Sequence, residues 1–309
     1  MASVLLAAGA AQAQDGPLWM RYPAISPDGK TIAFTYCGDI FTVPADGGRA
    51  TQLTTHPAHD TRPVWSPDGK QIAFASDRNG GFDVFIMSRY GGAPTRLTTH
   101  SSNEYPETFA DSTHVLFSAS IQQDYRDIQF PGGQFSQIYS VPTSGGRPVM
   151  FSSMVMQNLS LDKSGGRLLY HDMKGYEDNW RKHHRSSITR DIWMCTLGEN
   201  RSYKKLTSFR GEDRNPVWAP DGDSFYYLSE ENGSFNVYKY SLSDGNHSQV
   251  TQHTKNPVRF LTVADNGTLC YGYDGEIYTS VMGRPRNASG MALLRRRWRA
   301  SVTSSTAST

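Results

Sequence analysis

The sequence predicts an all-β protein, a six-bladed β-propeller of four-stranded antiparallel blades, and three observations carry that reading. The first is internal repetition: Ala24 to Phe34 (AISPDGKTIAF) and Val64 to Phe74 (VWSPDGKQIAF) are nearly identical, and Val217 to Tyr227 (VWAPDGDSFYY) repeats them. Three weaker copies end at Phe117, Tyr170 and Tyr271, which places the turn residue of each unit at Asp28, Asp68, Asp111, Ser164, Asp221 and Asp265. Spacings of 40, 43, 53, 57 and 44 residues fit one four-stranded blade each, with two insertions. The second observation is composition. The chain has 28 glycines and 16 prolines in 309 residues and is 12% aromatic, which suits many short strands joined by turns better than a helical bundle. The third is the period-2 alternation in QIAFAS and FDVFIMS, expected of strands packed between neighbouring sheets.

Taken in chain order, Met1 to Ala13 (MASVLLAAGAAQA) is apolar, too short to span a bilayer, and ends in Ala11-Gln12-Ala13, the small-x-small pattern of a signal peptide cleavage site. A basic n-region is missing from this leader. The propeller is expected over residues 17–280. In its second unit the strands fall at Pro63 to Ser66, Gln71 to Ser76, Asp83 to Arg89 and Pro94 to Leu97. Asp-Gly after Ser-Pro makes the tight turn of the first hairpin. Third strands end at small-residue turns such as Asp46-Gly47-Gly48 and Tyr90-Gly91-Gly92, and fourth strands carry Leu-Thr or Val-Thr: Leu53-Thr54, Leu97-Thr98, Leu206-Thr207 and Val250-Thr251. Trp65 and Trp218 recur at one template position and are assigned to the core between blades.

Two segments exceed the template. In blade three, Ile121 to Ser140 holds Tyr125 and Arg126 ahead of Pro131-Gly132-Gly133, either folded over a face or as a plain longer hairpin. In blade four, Trp180, Arg181, His183, His184, Arg185 and Arg190 crowd a long loop. Functionally it would hang over one mouth of the channel or grip a neighbouring domain, its arginines pairing carboxylates; the plainer account is a solvated loop with Arg190-Asp191 starting the third strand. The two insertions are adjacent and expected on one side. Beyond Ser280 the pattern stops: residues 281–309 form a basic, serine-rich tail without period, read as a disordered binding tail or, more economically, as a frameshifted or truncated frame. The sixth blade then lacks its fourth strand, and Leu18 to Arg21 is the segment proposed to supply it.

These units, SPDGxxIAF followed by DIFxxxxxGGxxxxLT, resemble the WD-like repeat of TolB and of the N-terminal propeller of tricorn-type serine peptidases. Tyr176 to Trp193, GEDRNPVW (Gly211 to Trp218), Phe225 to Tyr240 and LCYGYDGEIYT (Leu269 to Thr279) look like the propeller of secreted tricorn-like peptidases of the C-terminal-processing family. The resemblance implies a non-catalytic, substrate-gating or peptide-binding domain of a serine peptidase (a hydrolase of proteolysis), exported to the bacterial periplasm or exterior. Its partners would be peptides or unfolded polypeptide, a downstream catalytic domain and other copies of itself. The competing reading is a stand-alone periplasmic TolB-like binding propeller.

No nucleophile elbow, zinc-binding helix, phosphate loop or EF-hand spacing occurs in the chain, so no catalytic residue, cofactor or metal is assigned. His183-His184 lacks a third ligand at suitable spacing, and each turn aspartate sits alone, which argues against calcium. The formal charge is +2, but six arginines and no acidic residue follow Ser280, leaving 25 basic and 29 acidic residues before it, a net of −4. A mildly acidic body argues against nucleic acid, and the lack of a long apolar stretch argues against membrane insertion. Cys37, Cys195 and Cys270 are too few and too scattered for a disulfide framework.

Overall fold

The structure, a computed structural model, describes residues 19–121, 136–175, 185–281 and 296–297. The leader, most of the tail, and Tyr125, Arg126, Trp180, Arg181, His183 and His184 lie outside the described residues. Six sheets each take four strands in chain order, all antiparallel. Blade one is β1 (Arg21–Ile25), β2 (Thr31–Tyr36), β3 (Asp39–Pro44) and β4 (Thr51–Gln52); blade two is β5 (Asp60–Trp65), β6 (Gln71–Asn79), β7 (Gly81–Ser88) and β8 (Gly91–Arg96). Blade three is β9 (Glu104–Asp111), β10 (His114–Ala119), β11 (Gln137–Pro142) and β12 (Val149–Ser152); blade four is β13 (Met156–Leu161), β14 (Arg167–Asp172), β15 (Ile192–Thr196) and β16 (Ser202–Lys205). Blade five is β17 (Asp213–Trp218), β18 (Ser224–Ser229), β19 (Asn236–Ser241) and β20 (His247–Gln249). Blade six has three full strands, β21 (Arg259–Val263), β22 (Thr268–Tyr273) and β23 (Glu276–Val281), and the two-residue β24 (Arg296–Arg297) pairs with Thr279 and Tyr278 of β23. No helix is present among the described residues.

The repeated residues earn their places through hydrogen bonds. In the first turn Ser26 Oγ donates to Asp28 Oδ1 (2.5 Å), which also accepts the Lys30 N–H (3.0 Å), while Thr31 N–H donates back to Ser26 Oγ (3.0 Å). Gly29 supplies the left-handed φ of +70° that the turn requires. Ser66 and Asp68 repeat the arrangement. No cluster of metal-ligating side chains is found among the described residues. In blade six the turn acceptor is Asn266, which takes the Thr268 N–H (3.0 Å), rather than its neighbour Asp265, which instead pairs with Lys163. The Leu-Thr pair is a clip. Thr54, Thr98, Thr207 and Thr251 accept, through Oγ1, the N–H of Ile40, Val84, Ile192 and Val237 at 2.9–3.0 Å, tying each fourth strand to its third.

The core lies between blades. Successive residues of each middle strand face opposite seams, so Ala33 packs toward blade two while Phe34 packs toward blade six, and both are fully buried. Six hydrophobic clusters result, one at each of the six seams. Ring closure therefore comes chiefly from the cluster joining blade one (Met20, Ile25, Phe34) to blade six (Ala264, Cys270, Ile277). The expectation that Leu18 to Arg21 closes blade six is corrected in its described part. Arg21 begins β1, and Met20 N–H donates to Gly275 O (3.1 Å) at the β22–β23 turn, while the strand beside β23 comes from Arg296–Arg297.

Candidate functional site

The first strand of every blade carries a bulge. Between Arg21↔Thr35 and Ala24↔Ala33, two residues of β1 face one of β2, and the same shift recurs in β5, β13, β17 and β21. The bulged residue takes a left-handed backbone in each case: Tyr22 (φ 51°), Arg62 (54°), Asn158 (51°), Asn215 (53°) and Phe260 (59°). Blade three departs from this, its bulge falling at Glu107 between Phe117↔Pro106 and Leu116↔Thr108. Such bulges redirect side chains and sharpen strand twist. Here they surround a central cavity of about 630 Å³, lined by residues of all six blades.

Around that cavity the bulge residues form a continuous belt. Phe260 and Tyr22 are in ring contact (4.4 Å), and the Arg62 guanidinium lies 5.4 Å from the Tyr22 centroid and 4.2 Å from that of Tyr105. Glu107 Oε2 accepts the Asn158 N–H (2.9 Å). The Asn215 N–H donates to His171 Nδ1 (3.2 Å), which leaves the proton on Nε2 to be donated to Gln157 Oε1 (3.1 Å). Asn215 then exchanges two hydrogen bonds with Leu261 (3.0 and 3.1 Å), and Thr262 Oγ1 accepts the Ile25 N–H (3.2 Å), returning the belt to blade one.

The belt mixes charge with burial. Burial pushes the Glu107 carboxyl above its ordinary value, against the pull of Arg62, Ser118 and the Asn158 and Leu159 N–H groups. Burial, with Arg190 and Arg214 nearby, holds His171 well below 6.5, so its imidazole is neutral. Arg214 is brought down to about 10 by burial and is drawn back up by Glu212, 3.7 Å away. At the start of the inner strands burial raises Glu104 and Asp213 to about 7 each, and one Asp213 oxygen has no hydrogen-bond partner.

A carboxyl that ionises at about 7 when folded and near 3.8 when unfolded loses stability as the pH climbs through that interval and keeps the full loss above it. At pH 8, Asp213→Asn should therefore be more stable than the parent by about 2–4 kcal/mol, with the gap closing toward pH 4, as read by urea unfolding at each pH. His171 acts in the opposite sense, costing stability as the pH falls below 6.5. The difference between variant and parent isolates Asp213.

Of the side chains singled out in the two insertions, two are described. Arg185 is exposed. Arg190 is 2% exposed, with Nη1 3.2 and 3.3 Å from the two oxygens of buried Glu212, so its guanidinium serves the blade four–five seam rather than a solvent-facing loop. Ser120 and Ser136, which bracket the blade-three insertion, and Met173, just ahead of the blade-four insertion, line the same cavity, so both insertions are rooted at one mouth. The belt itself escaped sequence reasoning, although Tyr22, Arg62, Tyr105, Asn158 and Asn215 each stand six residues before the turn position of their unit, and Phe260 five.

Comparison with known proteins agrees with this architecture. The family model of the tricorn protease N-terminal β-propeller domain matches residues 17–284. Tricorn protease homolog 1 of Streptomyces coelicolor is 26% identical over 269 residues, covering 85% of this chain and 23% of that protein. The crystal structure of the tricorn protease superposes with a TM-score of 0.70 at 19% identity, over 86% of this chain and 25% of that one. TolB from Acinetobacter baumannii gives 0.61 at 16% identity, over 85% and 60%, a likeness of fold. The chain thus spans about a quarter of the length of the tricorn relatives it matches.

Proposed function

Since the chain belongs to the tricorn protease N-terminal β-propeller family, we propose that it is a non-catalytic, peptide-handling domain that binds extended polypeptide in its channel on behalf of a serine peptidase of a larger assembly. The observation that carries this reading is the belt. A cavity of about 630 Å³ has the size of a ligand site, large enough for a few extended residues and too small for a folded domain. Backbone groups and side chains from six blades converge on it, with cationic, anionic, amide and aromatic groups in one ring. Ser120, Ser136 and Met173, which flank the two insertions, line the same cavity, and in this reading Arg185, which is exposed, meets an arriving chain. Export belongs to the same reading and rests on the apolar Met1 to Ala13.

Fluorescein-labelled unstructured peptides titrated with the purified chain should show saturable anisotropy, and mass spectrometry should recover them intact. Absence of binding would overturn the peptide-handling role; cleavage that persists through repeated purification would overturn the non-catalytic one. A stand-alone binding propeller of the TolB kind would favour a folded partner over the unstructured peptides.

A further inference from the structure

One belt residue stands apart from the others. Asn215 is fully engaged with Leu261 and His171, and Arg214 is committed to Glu212 and to the Phe235 ring, 4.2 Å away. Arg62 is clamped between Tyr22 and Tyr105 from the two flanking blades, yet among the described residues no acceptor hydrogen-bonds its guanidinium. Ring contacts occupy the faces of a guanidinium and leave its N–H donors in the plane, pointing outward from its edge. Glu107, the belt's carboxylate, gives an oxygen to the Asn158 N–H instead. The result is a partly exposed cation, fixed in orientation, on the wall of the cavity.

The charge around it is selective. Residues 1–280 carry a net of −4; on the cavity wall Arg214 is offset by Glu212, whereas Arg62 has no hydrogen-bond acceptor among the described residues. A cation on a low-dielectric wall acts more strongly on a charged ligand than one in open solvent, because such walls concentrate its field. Building on the peptide-handling reading, we propose that the channel selects peptides that carry carboxylates, and that Arg62 is the residue that holds them, with Tyr22 and Tyr105 keeping its plane. The carboxylate can belong to an Asp or Glu side chain or to a chain terminus; the chemistry at Arg62 is the same.

The test uses three labelled peptides of equal length in a Gly-Ser background: one with three Glu, one with three Gln, and the Gln peptide with an amidated C-terminus. The parent chain should bind the Glu peptide about tenfold more tightly than the amidated Gln peptide, the worth of one charge-assisted hydrogen bond. A preference shared by the free-terminus Gln peptide would locate the carboxylate at the chain end; one confined to the Glu peptide would locate it on side chains. Arg62→Gln should erase the preference while leaving the amidated Gln peptide unaffected. Arg62→Lys, which keeps the charge and loses the fork, should retain part of it, and serves if the glutamine variant fails to fold. Added salt should weaken the preference in the parent. Equal binding of all three peptides by the parent, or a full preference in either variant, would overturn the role of Arg62 while sparing the peptide-handling reading. Failure of the parent to bind any of the three would overturn that reading itself.

Discussion

Glu212→Gln should cost the protein about 3–5 kcal/mol of unfolding free energy, because it strands buried charge. Glu212 is 2% exposed and faces Arg190 Nη1 at 3.2 Å and Arg214 Nε at 3.7 Å. Arg190, as buried as Glu212, cannot recover water without opening the seam between blades four and five, whereas Arg214 also borders the central cavity. The amide that replaces the carboxylate is uncharged and offers one acceptor oxygen in place of two. Removing both charges of the closest pair, as in Arg190→Met with Glu212→Leu, should cost much less than the single change, since apolar side chains of similar volume need no partner. Urea unfolding of the two single variants and the double variant gives the coupling directly; a Glu212→Gln variant within 1 kcal/mol of the parent, a threshold set by the ordinary spread of point-mutant effects, would show that the pair is not a structural tie. The same result bears on ligand binding. Binding lost on replacement of Arg190 would report a damaged seam, so Arg185 is the informative arginine of the blade-four insertion.

Trp218→Ala should be comparably damaging, at about 3–5 kcal/mol. The indole is 7% exposed in the cluster between blades four and five, its Nε1–H donates to Ser160 O (3.0 Å) in the inner strand of blade four, and the Arg167 guanidinium lies 4.5 Å from its ring. Alanine removes the packing, the inter-blade hydrogen bond and the surface on which Arg167 rests, and adjacent β-sheets cannot collapse fully into the space. Trp218→Phe keeps most of the apolar contact and should lose about 1–2 kcal/mol, the cost of an unpaired buried carbonyl plus a small void. Trp65, 8% exposed and donating to Ala24 O (2.8 Å), occupies the equivalent place between blades one and two, and its alanine variant should behave alike. A Trp218→Phe variant as unstable as Trp218→Ala would point to the hydrogen bond, rather than packing, as the principal tie.

Why the blades were legible in the sequence while the belt was not follows from what each position demands. The Ser-Pro-Asp-Gly turn needs an acceptor at Asp28, a second at Ser26 and a residue tolerant of positive φ at Gly29, so few residue types serve and the repeat stays visible. The Thr of the fourth strand is likewise held by a specific duty, accepting a buried N–H. The belt position demands only a bulged, left-handed backbone in the first strand of a blade, which is paired on one side. Tyr22, Arg62, Asn158, Asn215 and Phe260 all adopt it, and their side chains, facing a shared cavity, are free to differ. Offset from the turn was the available signal, and residue type concealed it. The blade-four insertion failed differently. Arg190 stood out because it is charged in a loop-like stretch, yet its partner Glu212 lies 22 residues on in the next blade, a pairing that strand order alone does not disclose.

The six seam clusters also bear on how the ring comes to exist at all. Five seams join neighbours in sequence; Trp65 reaches Ala24 across 41 residues, for instance. The sixth joins the two ends of the propeller, with Ile25 bonded to Thr262 across 237 residues. Chain-closure entropy grows only as the logarithm of loop length, so this last contact costs about 1.5 kcal/mol more than a seam between consecutive blades, less than the burial of a single large side chain returns. What the distance does govern is order in time: contacts far apart in sequence form late, and a propeller missing its final seam would still hold five clusters. The ring is therefore expected to assemble as an open arc that closes last, and any start point along the chain would leave one such seam to close.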